Sequence, residues 1–387
     1  MKGKNNMKEE IVDKITSVIL FLVIIGIFAV IIVFAIIAIQ EFLGDDEALA
    51  FVENFGNVTT VTNDEKTVED DIEVPAIVEN PISSIGRNNN TNTDYSNVQV
   101  DKYFYNQLEE KSRIIYRAFE SNKEQMKTGT YQIELGDSFS DTLSQSNGQE
   151  QLGEYYQSAI EAYTYDNPEI FYLSPKKMYL NIETTTRGGT STYNVYINSG
   201  NEVNYLSEEF SSKEEIDQAM AQIEQVKNQI VQSKTGNIYE DIKMVHDYLV
   251  DNINYESSLS KENIYNIYGA LVNRECVCEG YARAFKYLLD ELDIPCVMVI
   301  GTATNSQGET ENHAWNYVQL NGNWYAVDST WDDPVVIGGG TASAESRYKY
   351  FLVGREVIDQ DHSPSGQFTE GGKVFSYPNV TYESYSN

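Results

Sequence analysis

Cys278 is the first residue whose position in the chain could support covalent chemistry. It stands at the start of a helix predicted over 279–292, where apolar residues recur at spacings of four, three and four positions. The N-terminus of a helix presents unpaired backbone N–H groups and the positive end of the helix dipole, and both favour a thiolate, the nucleophilic form of cysteine. A free cysteine is more often a small buried apolar residue, so this position alone leaves both interpretations open.

A histidine and an aspartate are brought together by the strongest hairpin signal in the chain. Asn321–Gly322 favours a two-residue turn of type I′, in which Leu320 pairs with Asn323. In this register His313 and Asp328 lie on one face of the hairpin as diagonal neighbours, about 7–8 Å apart at the backbone. A slip of one residue would place them on opposite faces.

These two side chains have the relationship of a general base to the residue that orients it. Asp328 can accept a hydrogen bond from one imidazole N–H of His313 and so fix the tautomer whose other nitrogen reaches a nucleophile. With the Cys278 thiol as that nucleophile, the three residues would form a catalytic triad for attack on a carbonyl carbon.

The sequence around each of the three residues resembles a motif of the transglutaminase-like superfamily. The cysteine motif is matched by Val277-Cys278-Glu279-Gly280-Tyr281-Ala282, and the histidine motif by His313-Ala314-Trp315-Asn316. The aspartate motif is matched by Val327-Asp328-Ser329-Thr330-Trp331-Asp332-Asp333. Ile294-Pro295-Cys296 resembles the turn into the first core strand. The resemblance covers about residues 236–362. Cys276 departs from the pattern, because relatives often carry a small residue such as glycine at this position.

The resemblance implies a papain-like core that works without a metal or cofactor. Cys278 would be the nucleophile, His313 the base and acid, and Asp328 the orienting residue. The oxyanion hole is expected to use the backbone N–H of Cys278, and Tyr268 is the candidate for a second donor, with a packing tyrosine as the alternative. Cys276 leaves open an interaction with Cys278 that silences the site under oxidising conditions.

Metal binding is the alternative for the same residues. Three cysteines and one histidine could supply a zinc set: Cys276, Cys278, Cys296 and His313. Their spacing matches no familiar zinc pattern, and the set leaves Asp328 without a role. The two remaining histidines, His246 and His362, are interpreted as structural residues.

Attack of the Cys278 thiolate on an amide or acyl carbon would give a thioester, and the fate of that thioester decides the activity. Hydrolysis makes the enzyme a cysteine peptidase or amidase acting on a protein or peptide, and this is the reaction that we expect. Transfer to a lysine amine makes it a protein-crosslinking transglutaminase. A catalytically inert cell-surface binding module that has kept the fold is the alternative of another class.

The elements that position these residues predict an α+β fold. Helices are predicted over 237–253 and 279–292, and strands over 296–302, 313–320 and 323–329. Because the helices precede an antiparallel sheet, the pattern favours a helix bearing the cysteine packed on that sheet over a parallel doubly wound fold.

Residues 101–233 are predicted to form an accessory α+β region without catalytic residues, and 234–387 the catalytic domain. The accessory elements are helices over 104–122, 151–164 and 213–232 and strands near 178–183, 192–197 and 202–206.

The first hundred residues predict a membrane anchor followed by a tether. A transmembrane helix is predicted over 18–39, because the run Val18–Ile39 carries no charge. As a helix it would span roughly 33 Å, enough for a bilayer core of about 30 Å. Four lysines lie in 1–17 and acidic residues follow the run, so the positive-inside rule places the N-terminus in the cytoplasm and the rest outside the cell. Residues 40–100 hold 13 acidic and 2 basic residues, which predicts a disordered tether.

The overall negative charge argues against a nucleic acid as a partner. Lys and Arg total 27 against 59 Asp and Glu, a formal net charge of −32, whereas binding a nucleic acid requires a basic face. The predicted partners are a protein or peptide substrate, for which association with the cell wall is left open, and the membrane through the N-terminal helix. Three cysteines in a chain of 387 residues do not make a disulfide scaffold.

Overall fold

The computed structural model describes residues 93–333, 344–368 and 372–386, all within one compact unit. The predicted cytoplasmic segment, the transmembrane helix over 18–39 and most of the tether lie outside the described residues. In the described part of the chain, no helix combines the length and the apolar character needed to cross a membrane. Residues 93–100, the end of the predicted tether, are folded, since Tyr95 is buried and donates from its hydroxyl to the Glu134 carbonyl oxygen at 2.8 Å.

The N-terminal part of the described chain combines helices with a three-stranded antiparallel sheet. Its α-helices are α1 (Glu110–Ser121), α2 (Lys123–Met126), α3 (Ser140–Leu143), α4 (Gly148–Asp166) and α5 (Lys213–Val231). Its strands are β1 (Ile133–Gly136), β2 (Tyr179–Arg187) and β3 (Thr190–Asn198), in the order β1-β3-β2. Short 3₁₀ helices cover Tyr105–Gln107, Pro168–Ile170 and Pro175–Lys177.

The C-terminal part places one central helix against a four-stranded antiparallel sheet. Its helices are α6 (Ile238–Asn252), α7 (Cys278–Glu291), α8 (Ala344–Arg347), α9 (Arg355–Ile358) and a π-helix over Gly269–Asn273. The sheet has the order β8-β7-β6-β9, with β6 (Cys296–Thr304), β7 (Thr310–Leu320), β8 (Asn323–Val327) and β9 (His362–Pro364). A short parallel pair joins β4 (Asn254–Tyr255) to β5 (Glu275–Cys276). Helices and an antiparallel sheet confirm the predicted α+β class.

Packing of α7 on the sheet fixes the helix that begins at Cys278. Phe285 and Leu288 are fully buried, and each such side chain contributes about 1.5–3 kcal/mol through burial. Asn316 of β7 donates from Nδ2 to the Ala282 carbonyl oxygen at 3.0 Å, which ties the first turns of the helix to the strand. The start of α7 is therefore held in place by the strand that also carries His313.

Residues 101–233 contact α7 directly. Arg283 donates to the Thr164 carbonyl oxygen at 3.1 Å, and the Tyr287 hydroxyl donates to Glu224 at 2.8 Å. The predicted accessory region thus supports the central helix, and its boundary with the catalytic domain stays a prediction.

The predicted helices are present, with one interruption. The helix predicted over 104–122 is split into a 3₁₀ turn and α1, because Leu108 is extended, with ψ 150°. The buried carboxylate of Asp166 accepts the backbone N–H groups of Phe104 (3.0 Å) and Tyr105 (2.8 Å), which stabilises the turn as a separate element.

The predicted register of the β7–β8 hairpin is confirmed. Leu320 pairs with Asn323, and the ladder continues to the pair Asn316–Val327. The turn residues Asn321–Gly322 both have positive φ, 54° and 80°, as a type I′ turn requires. His313 and Asp328 therefore have the backbone placement that the turn predicts.

The strand predicted over 202–206 is wrong. Leu206 forms only an isolated bridge with Leu173, and its N–H donates to the Asn204 side chain at 2.9 Å. The backbone groups of this segment are satisfied locally and by neighbouring loops, so no ladder forms. In contrast, β9 was not predicted, and it extends the sheet beside β6.

Candidate active site

Cys278 occupies the first turn of α7, after Val277, the extended N-cap residue. The turn lies close to β5, because a Cβ at Gly280 would come within 2.8 Å of the Cys276 Sγ. The Cys278 side chain is 7% exposed, against 2% for His313. Its thiol thus lies at a helix N-terminus, a position that favours the thiolate.

His313 and Asp328 meet as the hairpin register predicts. His313 Nε2 donates to Asp328 Oδ2 at 2.8 Å, and both side chains are buried. The other carboxylate oxygen, Oδ1, accepts the backbone N–H groups of Thr330 (3.0 Å) and Trp331 (3.2 Å). Both oxygens of Asp328 are therefore engaged, and the carboxylate is fixed in orientation.

The electrostatics of this pair favour a protonated imidazole beside an ionised carboxylate. Burial alone lowers the pKa of His313, but the charge of Asp328, the hydrogen bond to it and a hydrogen bond with the Cys278 thiol raise the pKa of His313 to about 10. At Asp328 burial raises the pKa, but the charge of His313 and hydrogen bonds from His313 and His362 hold it well below its usual range. Because Nε2 of His313 is bound to Asp328, Nδ1 is the nitrogen left for the thiol.

Aromatic rings enclose the His313 imidazole. Trp315 stacks on it at 6.0 Å between ring centres, and Trp331 lies at 5.4 Å. These rings limit the access of water and the rotation of the imidazole. The histidine is held in one orientation between the carboxylate and the thiol.

His362 is a site residue that the sequence reasoning assigned only a structural role. Its Nε2 donates to Asp328 Oδ2 at 3.1 Å, the same oxygen that His313 binds. Its Nδ1 faces Asp361 Oδ1 at 2.7 Å. The chain has three histidines in all, so the presence of a histidine in Asp361-His362-Ser363-Pro364 was the available signal.

Tyr268, the candidate second oxyanion donor, has another partner for its hydroxyl. That hydroxyl donates to Gln222 Oε1 at 2.8 Å, and the ring stacks on Phe171 at 6.4 Å. The structure places Tyr268 as a packing residue against the predicted accessory region and does not bring its hydroxyl to Cys278.

Tyr255 is a tyrosine that lies near the Cys278 thiol. It pairs with Cys276 across β4 and β5. Burial, the Cys278 thiol and Glu311 raise the pKa of Tyr255 well above its usual range. The sequence reasoning missed this residue, because the two-residue strand that carries it has no periodic pattern.

His246 is the buried histidine that the sequence reasoning predicts. Its Nδ1 and Nε2 are bound to Asp247 and Asp332, both at 3.1 Å. Burial lowers the pKa of His246, but its two carboxylate partners raise it overall. All three histidines of the chain are thus buried beside carboxylates. His313 and His362 share Asp328, whereas His246 is bound to Asp247 and Asp332.

The cysteines do not assemble into the alternative zinc set in the described part of the chain, where all three are free thiols. Burial, Cys278 and Asp333 raise the pKa of Cys276 well above its usual range, and burial likewise raises that of Cys296. The ligand group that the described residues do bring together is His313, Asp328 and His362, whose nearest ligand atoms lie within 4.8 Å of one another. Hydrogen bonds between these atoms already account for the cluster.

The chain is similar to proteins of one superfamily. Residues 224–329 match the model of the Transglutaminase-like superfamily, transglutaminase core. Kyphoscoliosis peptidase of Mus musculus is 26% identical over 158 residues, which are 36% of this chain and 23% of that protein. The Homo sapiens protein of the same name is 26% identical over 143 residues, 33% of this chain and 21% of that protein. The match spans less than a quarter of the length of these relatives.

Two solved structures are similar in part. A structure described as a TGase has a TM-score of 0.28 at 15% identity and covers 45% of this chain and 50% of that one. A putative cysteine protease from Cytophaga hutchinsonii has a TM-score of 0.25 at 17% identity, covering 40% and 64%. The family match over residues 224–329 and the curated relatives support the resemblance of the three motifs to the transglutaminase-like superfamily.

Proposed function

We propose that the chain is a thiol enzyme in which Cys278 attacks an amide or acyl carbon of a protein or peptide. His313 is the base and acid, and Asp328 orients it. The observation that carries this proposal is the bond from His313 Nε2 to Asp328 Oδ2 at 2.8 Å, which leaves the second imidazole nitrogen for the thiol at the start of α7. The superfamily includes cysteine peptidases and transglutaminases, in agreement with this chemistry.

The proposed reaction has two stages that use the same imidazole. The Cys278 thiolate adds to the carbonyl carbon, and the backbone N–H at the helix start stabilises the oxyanion that forms. The protonated His313 then gives its proton to the leaving amine as the C–N bond breaks, leaving a thioester. In the second stage His313 takes a proton from water, which hydrolyses the thioester and restores the thiolate.

Hydrolysis is the reaction that we favour over crosslinking. The two curated relatives carry the name peptidase. Acyl transfer to a lysine amine is the alternative, because it proceeds through the same thioester. A binding module without turnover is the alternative of another class.

The proposed location is the outer face of a cell membrane. The uncharged run Val18–Ile39 would anchor the chain, with its lysine-rich N-terminus in the cytoplasm. The acidic tether would hold the folded unit away from the membrane surface. Protease treatment of intact cells should remove the C-terminal part; its survival would contradict this orientation.

Site-resolved alkylation of the full-length chain tests the proposed nucleophile. Cys278 should react with iodoacetamide much faster than the buried Cys276 and Cys296, because burial raises the pKa of both of those thiols. His313→Ala should slow the reaction of Cys278, while Cys296→Ser serves as the control and should leave it unchanged. Equal slow labelling of all three cysteines would support the inert binding module.

A second assay separates hydrolysis from crosslinking. Incubating the chain with a protein substrate and a labelled primary amine gives new peptide termini if water is the acceptor, or incorporated amine if the thioester is transferred. Either product should disappear in Cys278→Ser. Incorporation of amine without peptide cleavage would reject the preference for peptidase activity.

A further inference from the structure

We propose that His362, with Asp361 behind it, is a positioning residue for the reaction: it shares the carboxylate of Asp328 with His313 and limits how strongly that carboxylate holds the imidazolium. This inference rests on the proposed function, and it assigns a role to a histidine that the sequence alone predicts to be structural. His362 is buried and acts only through Asp328.

The bonds of the Asp328 carboxylate show how it is shared. Oδ2 accepts from His313 Nε2 at 2.8 Å and from His362 Nε2 at 3.1 Å, and Oδ1 accepts two backbone N–H groups. Two donors on Oδ2 occupy both lone-pair sites of that oxygen and therefore compete for its negative charge. The hold of Asp328 on His313 is therefore set partly by His362.

Asp361 fixes the orientation in which the His362 ring donates to Asp328. The two nitrogens of His362 face two carboxylates, Asp361 at 2.7 Å and Asp328 at 3.1 Å, so the ring is held on both sides. Asp361 is itself held by the Tyr350 hydroxyl at 2.6 Å, with Lys349 at 3.9 Å. His246 is likewise bound by two carboxylates, so what distinguishes His362 is that one of its partners is the carboxylate that also binds His313.

The sheet holds His362 in reach of Asp328. Residue 362 of β9 pairs with Ala303 of β6, and Pro364 pairs with Gly301, which also lies opposite His313 on the other side of the strand. A Cβ at Gly301 would come within 2.1 Å of the Ser363 carbonyl oxygen. The close approach of β9, and with it the second imidazole, depends on this glycine.

The consequence for catalysis follows from the charges around His313. The groups that face it are the Cys278 thiol of α7, Asp328 after β8 and His362 of β9, whose ring centre is 5.4 Å away. Asp328 raises the pKa of His313, and a second donor on the same carboxylate oxygen weakens its hold on the imidazolium.

Without His362 the imidazolium of His313 would hold its proton more tightly. It would then be a weaker acid toward the leaving amine. The other buried histidine near this loop, His246, has both nitrogens bound to Asp247 and Asp332, so it offers no replacement donor to Asp328.

The test compares the full-length wild type with His362→Ala and His362→Gln across pH, with His246→Gln as a matched buried-histidine control. The rate of Cys278 alkylation and the turnover of a peptide substrate are both measured. His362→Ala should move the basic limb of the turnover profile upward by about one pH unit or more and lower kcat about tenfold, with KM within about twofold, because one unit corresponds to a factor of ten. His362→Gln, whose amide can still donate to Asp328, should recover part of kcat and part of the position of the limb.

Two further variants protect the test against a folding defect. Asp361→Asn leaves His362 in place and should shift the limb in the same direction by less. His246→Gln should lower the melting temperature while leaving both profiles unchanged.

The outcomes separate this inference from the proposed function. Profiles of His362→Ala and Asp361→Asn that superpose on the wild type overturn the positioning role. Restoration of activity by Zn²⁺ after loss to a chelator would overturn it also, because the cluster would then hold a metal. A wild-type Cys278 that reacts no faster than Cys296 overturns the proposed function instead.

Discussion

Asp328→Asn removes a buried negative charge while keeping the size of the side chain. The amide oxygen can still accept the two backbone N–H groups that bind Oδ1, so the lost interactions are the bonds from His313 and His362. Breaking a buried charged pair in this way costs about 3–5 kcal/mol of the free energy of unfolding. The amide N–H₂ now points at an imidazole nitrogen, which favours the tautomer of His313 that carries its proton on Nδ1 toward the thiol.

Turnover of the Asp328→Asn variant should therefore fall about 10²–10⁴-fold, the usual contribution of a general base and acid. Asp332→Asn is the matched control, because Asp332 is equally buried in the same loop but binds His246. That control should lose stability and keep its turnover within a few-fold of the wild type. Retention of full turnover by Asp328→Asn would refute the orienting role of the carboxylate.

The stability effect of the same variant should depend on pH. The folded pKa of His313 is raised to about 10, so its contribution to stability is complete below its unfolded value of about 6.5 and is lost as pH rises through about 10. The folded pKa of Asp328 is lowered, so its contribution is complete above about pH 3.9 and is lost as pH falls through the folded value. Urea unfolding should show the largest difference between wild type and variant at about pH 4–6.5, and a difference that is constant up to pH 10 would contradict the charged pair.

Three other substitutions probe separate parts of the account. Cys278→Ser should abolish turnover yet change the free energy of unfolding by less than about 1 kcal/mol, as measured by urea unfolding, because the change is nearly isosteric; a large loss of stability would point to a structural cysteine. Gly301→Ala should cost about 1–3 kcal/mol through overpacking against Ser363 and lower turnover in the manner of His362→Ala, and a wild-type profile would disprove the dependence on β9. Phe285→Ala should cost about 3–5 kcal/mol by leaving a cavity under α7, and a loss below 1 kcal/mol would show that α7 packs less tightly than described.

The parts of the fold that could be predicted from sequence depend on local signals. The Asn321–Gly322 turn fixes the register of its hairpin because few residues tolerate two successive positive φ values, and the register then places His313 beside Asp328. The apolar spacing of α7 predicts its range to within a residue, since one face packs on the sheet.

The missed features depend on contacts between residues far apart in the chain. β9 has three residues and forms only because the strand β6 offers a free edge and Gly301 allows a close approach. The second histidine on Asp328 therefore could not be inferred from spacing. Tyr268 is predicted as an oxyanion donor because it precedes Cys278 in the chain, whereas its ring stacks on Phe171 of the predicted accessory region.

The most direct test of the central claim is to trap the thioester. The full-length chain is mixed with p-nitrophenyl acetate, quenched in acid and mapped by mass spectrometry, since an activated ester acylates the nucleophile whatever the natural substrate is. The account predicts an acetyl group on Cys278 that is absent in Cys278→Ser and forms far more slowly in His313→Ala. Acetylation that bypasses Cys278, or that proceeds at the same rate without His313, would contradict it.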